Sequence, residues 1–325
     1  MKKGNISILE TNIMYLATAL LLVTIGAYVQ SINIKMGLIV TEYILVLMPV
    51  IILIKLKNIN IKTFLRLNKL KLKHILIIVI ITLLIYPVAV FFNMSMLTAL
   101  SYFGLEIRPL PIPKASNLLE YINLFFIIAI SAGICEEVFF RGLLLRVYGE
   151  KYKVAGIVIT AILFGVFHFN LQNLLAPIVL GLVFGYLVYI TDSIYAGIVG
   201  HIVNNGFAVT LTYLLNVLQK KISKYGDMVP QNIMPNTLQL FIGVIIMGVL
   251  AVITGMIAYW LIRIIKDDMI KSSYRNKGME DETVIEKNNI DGNPIKKGKY
   301  RFVEFIPIAV VIAIYVIISI LQFSI

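Results

Sequence analysis

The sequence predicts an all-α, polytopic membrane protein with eight to nine transmembrane helices. Two observations carry the prediction. Hydrophobic residues make up 59% of the 325 and charged residues only 14%, and the mean hydropathy of +0.91 lies well outside the range of soluble domains. Apolar runs long enough to cross a hydrocarbon core of about 30 Å, roughly 20 helical residues, also recur along the whole chain.

These runs fall near residues 12–29, 37–54, 75–98, 119–146, 154–169, 174–190, 194–214, 237–262 and 303–323. The first lacks a small-x-small cleavage pattern and is followed by further spans, so it is expected to stay as a helix and not to be removed as a signal. The second contains Glu42, near its predicted outer end, where interfacial hydration is the expected account. The third carries Pro87, which should bend it, and PLPIPKAS at 109–116 should form an extended, helix-breaking connection. The run at 154–169 is short for a span, so eight crossings plus a partial one fit as well. In the next run, GLVFG at 181–185 lets a neighbouring helix pack closely. The polar stretch 266–301 lacks sustained apolar periodicity and reads as a solvated cytoplasmic tether. Three units follow: 1–117 with three helices, a compact four-helix core at 118–215, and 216–325 with two helices and a polar loop at about 264–302.

A net charge of +12 does not here imply nucleic acid, because the basic residues concentrate in a few loops as the positive-inside rule requires. Lys2, Lys3 and the connection holding Lys55, Lys57, Lys62, Arg66, Lys69, Lys71 and Lys73 would be cytoplasmic. Alternation puts 100–118 outside, 147–153 and 263–302 inside, and the C-terminus outside for nine spans; Lys220, Lys221 and Lys224 dissent. The expected location is the cell membrane with the N-terminus cytoplasmic. Cys135 is the sole cysteine, which leaves no intrachain disulfide and no cysteine-rich metal cluster. Its expected role is that of a small buried hydrophobe.

Against this background the ionisable residues inside the spans stand out, since such groups usually face a bundle interior or a wet cavity. Glu136, Glu137, Arg141, His168 and His201 all fall within the four-helix core, whereas His74 lies in a basic loop. Glu137 and Arg141 are four residues apart and share a helical face, so they can pair as a brace. Glu136 points about 100° away and stays free for chemistry. Phe164 sits one turn before His168, placed to pack beside the imidazole. His201 and Asn205 can address one point together, with Asn204 directed elsewhere. A carboxylate, two imidazoles and a carboxamide in a low-dielectric pocket suit amide hydrolysis, in which a base takes a proton from water and donors hold the oxyanion. Equally, Glu136, His168 and His201 make up a two-histidine, one-glutamate zinc set. The residues alone admit both.

The ordered set EEVFFR (136–141), FGVFH (164–168) and HIVNN (201–205) resembles the EExxxR, FxxxH and HxxxN motifs of the CAAX protease and bacteriocin-processing family. That family includes the type II CAAX prenyl endopeptidases and the abortive-infection membrane proteins, and the resemblance spans roughly 118–214. It implies an intramembrane endopeptidase with a four-helix core around a polar cavity. It further implies that Glu136 activates water with His168, that His201 and Asn205 stabilise the oxyanion, and that Glu137, Arg141 and Phe164 support them. Family members are labelled metalloproteases, and a metal-independent glutamate mechanism is argued for the eukaryotic-type branch, so zinc is the one cofactor implied. The partners implied are a membrane-associated peptide or protein substrate and the lipid bilayer, with no nucleic acid. Two other classes compete: a non-proteolytic scaffold or bacteriocin-immunity protein of the same fold, usually marked by a lost motif residue, and a proton-coupled transporter, which commonly shows internal repeats. Neither mark is present. At about 1.5 Å per residue, Glu136 and His201 are expected roughly 15 Å above the cytoplasmic helix ends and His168 about 21 Å, with the cavity opening to the cytoplasm.

Overall fold

The computed structural model describes residues 5–108, 113–222, 236–276 and 302–324. Among the described residues nine principal helices run in chain order: α1 Ile8–Ile32, α2 Ile34–Leu56, α3 Leu72–Tyr102, α4 Leu118–Tyr152, α5 Val154–Val166, α6 Leu175–Thr191, α7 Ile194–Ile222, α8 Thr237–Asn276 and α9 Ile306–Ser324. All but α5 belong to segments long and apolar enough to span a membrane, making eight such segments among the described residues, and α5 is the short ninth. The protein is an all-α, multi-pass membrane protein.

Side-chain caps start the helices where the sequence supplies them. Ser7 and Glu10 form a capping box at α1, and the carboxamide oxygens of Asn33 and Asn117 accept from Met36 N and Glu120 N at the starts of α2 and α4. Single positive-φ residues make the tight breaks at Lys153 (φ 51°) between α4 and α5 and Asp192 (φ 46°) between α6 and α7.

Charge pairing marks one end of the bundle. Lys57 pairs with Glu10, and Arg66 lies 3.5 Å from Asp192. Asn68 donates to the Asp192 carbonyl, and Asp268 binds both Lys71 and His74. The opposite end is joined by uncharged hydrogen bonds: Asn93 to the Gln172 carbonyl, Gln322 to the Phe169 carbonyl, and Asn216 to the Ala115 carbonyl. Lys220 and Lys221, in the last turn of α7, remain on that second end. Long-range packing ties α3 to α8 and α1 to α9, so the flanking helices enclose the central ones.

Two apolar clusters fill the interior. One gathers Tyr15, Phe139, Phe140 and Phe167 between α1, α4 and the end of α5; the other joins α3, α6 and α8 through Ile78, Phe184 and Ala258. Tyr15 Oη donates to the Leu163 carbonyl, and Tyr148 Oη donates to Asn12 Oδ1. Each satisfies a polar group that would otherwise be costly so deep in the protein.

Several boundaries differ from those expected. α4 continues to Tyr152 instead of stopping at 146, and α8 runs into the first part of the expected tether, to Asn276. Residues 277–301 of that tether, residues 109–112 of PLPIPKAS and Lys224 lie outside the described residues. α3 is helical through Pro87. His74 is not a loop residue: it occupies the first turn of α3, 1% exposed, with Nε2 2.8 Å from Asp268 Oδ2. An acidic partner on α8 lets a helix begin inside what reads as a basic loop.

Candidate active site

The first motif lies on a three-part helix. A short α-helical segment, Ala132–Glu137, is flanked within α4 by π-helical turns at Phe125–Ser131 and Val138–Leu144. Such widened turns shift side-chain register and are frequent at functional sites. Glu137 is fully buried, with Oε1 2.9 Å from Arg141 Nη1 and 2.9 Å from His201 Nδ1. Arg141 also donates to the Gly181 carbonyl at 3.4 Å and lies 4.7 Å over the Phe164 ring. The acid–arginine brace is present and has a further task, since it holds His201. Gly197 makes room for it: a Cβ there would collide with Glu137 Oε2.

The second motif sits where α5 ends. The helix stops at Val166, and Phe169 takes a left-handed φ of 46°, so His168 lies in the turn. His168 Nδ1 is 2.8 Å from the Phe164 carbonyl. A carbonyl only accepts, so Nδ1 carries the proton and, in the neutral ring, Nε2 is left as an acceptor. Phe164 touches both imidazoles edge-on, with centroids 5.0 Å from His168 and 5.8 Å from His201. It is the hub between the motifs.

The third motif lies on α7. His201 is 4% exposed, stacks on Phe184, and turns Nε2 toward Glu136 Oε2 at 3.8 Å, too long for a hydrogen bond. Asn205 Nδ2 donates to the Ile128 carbonyl at 3.0 Å, and Asn204 Nδ2 donates to Asn205 Oδ1 at 3.0 Å. Asn204 therefore does not point elsewhere; it lines the same cavity and fixes the Asn205 carboxamide.

Glu136, His168, His201, Asn204 and Asn205 open onto one cavity of about 430 Å³, walled by apolar residues of α3, α6 and α7. A second cavity of about 450 Å³ lies between the upper parts of α1 and α2 and the α5 turn. Glu136 and His168 line both, which is why the His168 ring is solvent-accessible despite its depth. The expected mismatch between Glu136 and His168 narrows, because α4 ends at Tyr152 and Glu136 stands sixteen residues, about 24 Å, above that end; His201, seven residues or about 10 Å above Ile194, still meets Glu137 at 2.9 Å. The first cavity extends past Asn93, Ala115, Asn173 and Thr212 toward the end of the bundle away from the lysine-rich connection.

One residue at the site escaped sequence reasoning. Glu42, on a π-helical stretch of α2, is 7% exposed and lines the second cavity, so interfacial hydration does not describe it. Its carboxyl lies within hydrogen-bonding reach of Glu136. It had the same mark as the others, an acid in an apolar span, but no spacing tied it to the motifs. Cys135 is fully buried among core side chains, as expected.

Among the described residues no three histidine, cysteine, aspartate or glutamate side chains are grouped to hold a metal ion. His201 Nδ1 lies on Glu137 and His168 Nδ1 on a backbone carbonyl, an arrangement that occupies one nitrogen of each ring and leaves Nε2 free of those bonds; no step is derived through a metal.

Residues 118–207 match the family model described as Rce1-like, type II CAAX prenyl endopeptidase. The match covers less than a third of the chain, but it contains every motif residue above. No curated protein and no solved structure is significantly similar to the chain.

Proposed function

We propose, from the match of residues 118–207 to the Rce1-like family model, that the chain is an intramembrane endopeptidase cutting a membrane-associated peptide or protein with Glu136-activated water. The observation that carries the reading is convergence: three separate chain segments deliver Glu136, His168, His201 and Asn205 to one apolar-walled cavity.

Each group supplies one part of the reaction. A water held between Glu136 and His168 Nε2 gives a proton to the Glu136 carboxylate while its oxygen attacks the scissile carbonyl carbon. The carbonyl π electrons become an oxyanion. His201, anchored through Nδ1–H on Glu137, donates Nε2–H to that oxyanion when its ring is doubly protonated, and Asn205 contributes its second N–H. Collapse re-forms the carbonyl, breaks the C–N bond and returns the proton from Glu136 to the leaving amine. The apolar walls favour a substrate delivered from the bilayer. If the basic connections are cytoplasmic, the first cavity receives it from the non-cytoplasmic side.

The test is cleavage of a library of lipid-proximal peptides by purified, reconstituted protein. Glu136→Ala and His201→Ala should each lower turnover by at least about 10²- to 10³-fold. Persistent cleavage by Glu136→Ala overturns the mechanism. Activity should survive exhaustive chelation, and loss of activity restored by zinc overturns the metal-free form of the proposal.

A further inference from the structure

Glu136 stands between two cavities, and what holds its carboxyl in place is not within the motif helices. Among the described residues no amide, hydroxyl or cationic group donates to Oε2 of Glu136, and the nearest histidine nitrogen is 3.8 Å away. The carboxyl beside it is that of Glu42, which lines the second cavity with Glu136 and whose own Oε2 is equally buried and equally without an amide, hydroxyl or cationic donor. The two carboxyls line the same second cavity and each leaves an oxygen without another donor, and a bond between two carboxyl groups carries a single proton between them. The contact is built into the fold. The π-helical stretch Val40–Leu47 packs on Ala132–Glu137, and Ser131 Oγ donates to Tyr43 Oη at 3.2 Å, five residues before Glu136 and one after Glu42. On the far side of Glu42, Gln30 Nε2 donates to Thr41 Oγ1 at 3.1 Å and ties α1 to the same turn.

We propose that Glu42 is a positioning residue that orients the Glu136 carboxyl toward the water, so that α2, outside the matched segment, is part of the active site. The inference rests on the water-activating role of Glu136. Glu42 touches neither the attacking water nor the scissile bond in this scheme; it fixes one oxygen of Glu136 so that the other faces the first cavity.

Three variants test it in the same reconstituted peptide assay, alongside Glu136→Ala. Glu42→Gln keeps a donor at the right length and should retain kcat within about 3-fold. Glu42→Met is nearly isosteric but donates nothing. It should lose about 10- to 100-fold in kcat with KM within about 2-fold, the size expected for a misplaced reacting group. Glu42→Asp keeps the acid but draws it back by one methylene. It should fall between the two, which secures the test should the methionine variant fold poorly. Wild-type kcat in the methionine or aspartate variant overturns the proposal, as does a glutamine variant as impaired as methionine. If Glu136→Ala remains active, the underlying mechanism fails. If Glu136→Ala is dead and Glu42→Met is normal, only the positioning role falls.

Discussion

Glu137 illustrates how much one side chain can be asked to do inside a membrane protein. It is fully buried, neutralises Arg141 and holds His201 through the same oxygen. Glu137→Gln removes the charge and leaves a buried guanidinium unpaired, at an expected cost of about 3–5 kcal/mol. Thermal melting of the purified variant should show it. The freed His201 ring should also lower peptide turnover by about 10²-fold, the range seen when an oxyanion donor is lost. At this scale the sequence was readable where geometry is local. The Glu137–Arg141 pair and the Phe164–His168 contact both follow from a four-residue spacing within one segment. Glu42 and Asn204 were misjudged because their roles depend on how α2 leans on α4 and how α7 rotates beside it, and no spacing encodes either.

Among elements, the α5–α6 hairpin is tightly specified by two glycines. A Cβ at Gly181 would stand 3.0 Å from Ala161 Cα, and one at Gly185 would stand 3.0 Å from Ile157 Cγ2. This is the close approach that the GLVFG stretch led us to expect. Gly181→Leu should force the two helices apart at a cost of about 1–3 kcal/mol, read as a lowered melting temperature. It should also weaken activity, because the Gly181 carbonyl accepts from Arg141. Helix existence was legible throughout from apolar run length. Helix ends were not, because polar residues that resemble loop are paired in place. Arg146 and Glu150 form an i,i+4 bridge at 3.0 Å in the last turns of α4, and Asp268 on α8 is held by Lys71 and His74. Those bridges carry the helices beyond the hydrocarbon boundary that hydropathy detects.

Taken whole, the molecule has a lysine-rich end and an opposite end joined by carboxamide–carbonyl hydrogen bonds, and the first cavity extends toward the second. In a Cys135→Ser background, a cysteine at Thr212 should react with a membrane-impermeant thiol reagent applied from outside intact cells. A cysteine at Lys69 should react only after permeabilisation. The reverse pattern would invert the topology. The fold class was evident from composition because a bilayer demands long apolar helices. The direction of the cavity was not, since depth along a helix says nothing about which neighbouring helices stand apart.

The shared position of Glu136 and His168 between two cavities, neither of them enclosed, bears on turnover. A chain lying across that wall would leave its two halves in different compartments once cut. Neither fragment would have to pass the other, so release would be unordered, and an excess of one product would not trap its partner.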